Sequence, residues 1–105
     1  MLYSKTKTAM ESKITKAFRE LRKLGYTAKQ NFWCCQTCGW AALTDEQANK
    51  AVFYHHQDYD VLKKYGSTFL CWSGDGNEIV SILQKHGIKT NWDGSKNKRI
   101  GITII

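Results

Sequence analysis

Residues 31–40, NFWCCQTCGW, place three cysteines within five positions between two tryptophans. Cys35 and Cys38 have the CxxC spacing from which two thiolates reach one Zn²⁺ at about 2.3 Å, but a closed structural site takes four ligands. The remaining candidates are Cys34, Cys71, His55, His56 and His86. If both segments are strands, neighbouring side chains diverge to opposite faces, so Cys34 parts from Cys35 and His55 from His56. The set expected to converge is therefore Cys35, Cys38, His56 and Cys71, a Cys₃His zinc site. The alternative is plain packing, because buried free cysteine behaves as a small hydrophobe.

The same residues suggest other chemistries. A redox CxxC needs a helix N-terminus to lower its thiol pKa, and no helix is expected to begin at Cys35. A nucleophilic centre would pair Cys35 with His56, oriented by Asp58, with Asp93 nearby as a fourth group of an enzyme or small-ligand site. Gly74-Asp75-Gly76, between a strand and a helix, resembles an anion-binding turn, but Asp75 would repel the anion, and a plain turn is expected.

The elements that must position these groups follow from periodicity. TAMESKITKAFRELRKLG reads as an amphipathic helix, opened by a Thr8–Glu11 capping box and closed by Gly25. Met10, Ile14, Ala17, Phe18, Leu21 and Leu24 form its apolar stripe, and Lys16, Arg19 and Lys23 the opposite face. Strands are expected at Phe32–Cys35, in AVFYHH and in STFLCW. LTDEQANK suggests a helical turn begun by Thr44, and QDYDVLKKYG a turn or short helix. NEIVSILQKHG gives a second main helix ending at Gly87, and the last two strands form a hairpin around DGSKN. The expected fold is one α+β domain over residues 1–105, a two-layer sandwich. Two helices cover a mixed or antiparallel sheet of about five strands, in the order α-β-β-β-α-β-β.

The chain of 105 residues is 42% apolar, enough for one core, with no apolar run of the roughly 18 residues a membrane span needs. No secretory h-region is evident, so the cytoplasm is expected, with free or metal-bound thiols instead of disulfides. Of the net charge of +7, residues 1–30 hold eight Lys/Arg against two Glu, and the rest eight against seven acids. The basic character belongs to the first helix, which marks Lys16, Arg19 and Lys23 as a contact for nucleic acid or an acidic protein.

AFRELRKLGYTAKQNFWCCQTCGW, FYHHQD, GIKTNWDG and KRIGI, in this order, resemble an uncharacterised bacterial domain-of-unknown-function family, DUF6891-like, over roughly residues 14 to 104. The resemblance implies a shared fold and no assigned activity. Its pattern falls on Cys34, Cys35, Cys38, Gly39, His56, Gln57, Asp58, Trp92, Asp93 and Gly94. The chain departs from it in lacking a longer N-terminal portion and in carrying Cys71.

The sequence thus points to a small non-catalytic binding or regulatory module. Its partner would be a nucleic acid or a protein, and its Cys/His cluster would be structural or zinc-binding. A small-ligand protein or enzyme centred on Cys35, His56, Asp58 and Asp93, and a phage-encoded protein inhibitor, are the alternatives.

Overall fold

The computed structural model describes residues 2–104, with side chains from Lys13 onward. The Thr8–Glu11 capping box and Met10 fall among side chains outside that set. Along the chain run α1 (Leu2–Lys23), β1 (Thr27–Lys29), α2 (Gln36–Ala42), α3 (Asp45–Ala48) and β2 (Ala51–Phe53). They are followed by α4 (His56–Tyr65), β3 (Ser67–Trp72), α5 (Gly76–Lys85), β4 (Lys89–Asn91) and β5 (Ile100–Thr103).

Helix α1 buries Ile14, Ala17, Phe18 and Leu21, so the apolar stripe runs to its last turn, and Leu24 just beyond the helix is exposed. Gly25 terminates it at φ 96°. The amides of Gly25 and Tyr26 reach back to the carbonyls of Arg22 and Leu21, both at 3.0 Å, which satisfies two end carbonyls at once. Helix α5 ends in the same way: Gly87 at φ 79°, with Gly87 and Ile88 donating to Gln84 and Leu83.

The five strands form one sheet in the order β1-β2-β3-β5-β4, with β1 parallel to β2 and all other pairs antiparallel. A parallel pair needs a long crossover, and residues 30–50, with α2 and α3, supply it. The fold is α+β, as the sequence implies, with α2, α3 and α4 filling connections between the two main helices. Thr44 caps α3 in a reciprocal box with Gln47.

Two differences concern the cysteines. The first strand lies at Thr27–Lys29 instead of Phe32–Cys35, and Cys35 is the N-cap of a helix. Left-handed backbone at Asn31 (φ 52°) and Trp33 (φ 64°) is what stops the strand from continuing.

Side-chain alternation divides the sheet. Ala28, Val52, Leu70, Ile100 and Ile102 face α1 and α5 and form the main core with Phe18, Leu21, Ile79 and Leu83. Phe53 and Cys71, paired in register, point to the other face. There Phe53 receives α2, whereas Phe69 farther along β3 remains half exposed.

Phe18 is fully buried between α1 and the sheet and meets the Tyr54 ring edge-on at 6.0 Å. Phe18→Ala is expected to cost about 3–5 kcal/mol, read as a fall in the urea midpoint with little change in slope. A loss under about 1 kcal/mol would mean that α1 is not docked through this stripe.

Candidate functional site

Three thiols meet at the start of α2. The sulfurs of Cys34, Cys35 and Cys38 all lie within 4.8 Å of one another, and Cys34 Sγ is 3.9 Å from Cys35 Sγ. Cys34 is exposed, and Cys35 and Cys38 are partly so. Cys35 has extended backbone (φ −155°, ψ 172°) ahead of the first helical turn. Its sulfur closes no regular cap hydrogen bond, yet the Cys38 amide, followed by the Cys38 thiol, draws its pKa below the ordinary thiol value. The Cys38 thiol is pushed up to about 11, first by Cys35 and then by Cys34. The neighbouring groups thus favour ionisation of Cys35 and oppose that of Cys38.

Two contacts position this cluster. On the sheet side, the Phe53 ring packs edge-on against Trp40 of α2 at 5.0 Å and against Phe32 at 5.6 Å. Gly39 lies directly on Phe53, where a Cβ would stand 2.5 Å from the ring, so only glycine lets α2 sit this close. On the loop side, Phe32 N donates to Tyr54 O at 2.8 Å and His56 N to Trp33 O at 2.9 Å. His56 Nδ1 also meets the Asn31 side-chain oxygen. Left-handed backbone is tolerated by asparagine but strained for tryptophan, and these bonds hold it there.

A second cluster is buried. One ligand atom each of His55, Asp58 and Cys71 lies within 4.8 Å of the others. His55 caps α4: its Nδ1 accepts from Asp58 N at 3.4 Å, and the Asp58 carboxylate accepts from His55 N at 3.4 Å. The same carboxylate oxygen lies 3.0 Å from His55 Nε2 and receives Arg99 Nη2, which also donates to Phe69 O at 2.7 Å. Burial pushes the Cys71 thiol up to about 11. Burial also lowers the His55 pKa, against the opposing pull of Asp58.

The expected four ligands are thus distributed. Cys35 and Cys38 come together with Cys34. Cys71 sits with His55 and Asp58, and His56 bonds Asn31. Cys35, His56, Asp58 and Asp93 likewise have separate partners: Asp93 accepts from Ser95 N in the β4–β5 loop. Lys16, Arg19 and Lys23 are exposed on α1. Arg99 was missed in the sequence, and His55 stood there only as one of several candidate ligands. His55-x-x-Asp58 carried a capping-box spacing, whereas nothing local pointed to Arg99. The helix after Cys35 was missed because strand-like aromatics precede it.

A family model described as "Domain of unknown function (DUF6891)" matches residues 5–105. No curated protein and no solved structure matches the chain.

The buried imidazole has a pH consequence. Its folded pKa lies below its unfolded one, near 6.5. The stability it contributes is complete above that value and is lost as pH falls through it, because the unfolded chain then binds the extra proton. The urea midpoint is expected to decline from pH 7 to pH 5, with up to about 1.4 kcal/mol per pH unit due to this group. His55→Asn keeps an N-cap acceptor and should flatten that slope; an unchanged slope in the variant would assign the decline to other groups.

Proposed function

This chain belongs to the DUF6891 family, and from that premise we propose that it is a non-catalytic binding module whose Cys34, Cys35 and Cys38 hold a thiophilic divalent metal, zinc first among them. The observation that carries this reading is the convergence of three partly exposed sulfurs within 4.8 Å of one another. Zinc favours thiolate sulfur, and three protein ligands leave its fourth position for water or a partner's side chain. The crowding that pushes the Cys38 thiol up to about 11 is what a divalent cation relieves: it replaces the protons and cancels the repulsion between thiolates. The left-handed Trp33 and the Gly39 seat support the reading, since both fix the backbone that carries the thiols.

The buried cluster is a poorer host. The Asp58 carboxylate there already receives the Arg99 guanidinium, so a cation would have to displace an existing positive charge.

A second observation bears on the partner. Lys16, Arg19 and Lys23 lie within one stripe of α1 and, among the described residues, form no ion pair. The acid beside them, Glu20, is occupied by Lys85 and His86, each at 3.1 Å. An uncompensated cationic face of this kind favours a polyanion, nucleic acid first.

Reduced protein titrated with Co²⁺ is expected to develop the near-ultraviolet sulfur-to-cobalt charge-transfer band, saturating at one metal per chain, and Zn²⁺ should bleach it. Cys38→Ser should weaken binding by at least about tenfold, Cys71→Ser should leave it unchanged, and affinity should fall with pH as protons compete. Equal loss in both variants, or no metal retained in native mass spectrometry, would rule the exposed site out.

For the cationic face, binding to a single-stranded oligonucleotide, followed by fluorescence anisotropy, should weaken steeply with salt. Each Lys or Arg lost from Lys16, Arg19 and Lys23 should lower the slope of log affinity against log salt by about 0.7. Salt-independent binding, or none, would remove nucleic acid as the partner.

A further inference from the structure

Residues 92–99 join β4 to β5 and carry Lys96, Lys98 and Arg99 in four consecutive positions. A loop of this composition would ordinarily be a solvated tip, but two indoles hold it in place. Trp92 Nε1 donates to Ser95 O at 2.9 Å, and Trp72 Nε1, from the end of β3, donates to Lys98 O at 2.8 Å. The two rings meet edge to face at 5.4 Å. Both press on Gly76, where a Cβ would lie 2.4 Å from Trp92 and 2.9 Å from Trp72, so the first turn of α5 backs the pair. Asp93 accepts from Ser95 N at 2.9 Å and tightens the turn. Arg99 is anchored at the other end by the Asp58 carboxylate and Phe69 O.

The anchored loop forms one wall of a cleft of about 130 Å³, and Trp40 and Trp72 contribute the apolar surface. Lys96, Lys98 and Arg99 all line it, and no carboxylate does among the described residues. Lys98 has only the distant, exposed Asp93 at 3.7 Å, and Lys96 has no acidic partner among the described residues. Arg99 keeps its Nε buried without a hydrogen-bond partner. Arg99 is already balanced by Asp58, so the charge left uncompensated at the hollow is that of Lys96 and Lys98, and an anion seated between them relieves their repulsion. The hollow has room for a compact tetrahedral oxyanion beside the lysines.

We infer that this cleft is a phosphate-group site, with Lys96 and Lys98 as the charge donors, Arg99 held at its edge by Asp58, and the Trp40 and Trp72 indoles as apolar walls. None of Cys34, Cys35 and Cys38 lines it, although Gln36 and Trp40 of the helix that follows Cys35 do.

The experiment uses the whole chain, ¹⁵N-labelled and reduced, titrated with inorganic phosphate and, in parallel, with phenyl phosphate, against sodium chloride at matched ionic strength. The expected result is saturable shifts of the amides of residues 96–99 and of the Trp72 indole N–H with both phosphates and not with chloride. Tighter binding of phenyl phosphate would assign the site to an organic phosphate, and tighter binding of inorganic phosphate to the free ion; either supports the inference. Lys96→Ala/Lys98→Ala changes only exposed side chains and should weaken binding at least about tenfold, whereas Lys16→Ala/Arg19→Ala/Lys23→Ala should leave it unchanged. Shifts no larger than those with chloride, or an affinity unaltered in the Lys96/Lys98 variant, would overturn it.

Discussion

The carboxylate of Asp58 is the constraint from which the rest of the molecule's organisation can be traced. It is 7% exposed, and a buried charge is tolerated only when paired and hydrogen-bonded. Three donors meet it: the His55 amide, the His55 imidazole and the Arg99 guanidinium. Together they serve two structural tasks. The two from His55 fix the first turn of α4 directly after β2, and that turn presents His56 N to Trp33 O. Arg99 fixes the entry into β5. One buried acid thereby determines where the thiol-bearing loop is fastened and where the cationic loop ends.

Aromatic residues do the complementary work, Phe53 on the outer face of the sheet and Trp72 on the face it shares with Val52. Phe53 seats α2 through Gly39 and Trp40, and Trp72 with Trp92 seats the β4–β5 loop against Gly76. In both places a glycine lies against an aromatic ring at a separation no Cβ would allow. The glycine after Cys38 and the tryptophan before Asp93-Gly94 therefore have packing roles that need no ligand. Cys34, Cys35 and Cys38 differ from them, because their sulfurs point at one another instead of filling the interior.

The legible parts of the fold were those written at short range. The α1 stripe from Ile14 to Leu21, the glycine stops at Gly25 and Gly87, the Thr44 cap and the closing hairpin all depend on spacings within a few residues. The first strand was misplaced because Phe32 and Trp33 look like strand residues, and their backbone is instead set by bonds to Tyr54 and His56, more than twenty positions away. The site followed the same division. The CxxC pair was visible, but the choice of Cys71 over Cys34 as its neighbour rested on an assumed strand alternation, which a helix N-cap at Cys35 does not obey. The choice between His55 and His56 went the same way: β2 ends at Phe53, so the alternation that was to separate the two imidazoles gives way to a helix start, where the first caps and the second turns outward.

The two clusters contain similar ligand types and differ in what already neutralises them. At the buried one, Arg99 supplies the positive charge that Asp58 requires, and desolvation keeps the Cys71 thiol protonated, pushed up to about 11. A divalent ion there would need to expel a guanidinium and remove a proton from a thiol that burial protects. At the exposed cluster, no cation is among the groups that perturb the Cys35 and Cys38 thiols, and water reaches Cys34. The charge lacking at the sulfurs is positive, while the charge in excess at the β4–β5 loop is also positive. A cation at the first and an oxyanion at the second each meet an unmet electrostatic demand. The buried Asp58–Arg99 pair, already balanced, makes no such demand and serves to hold the two surfaces in place.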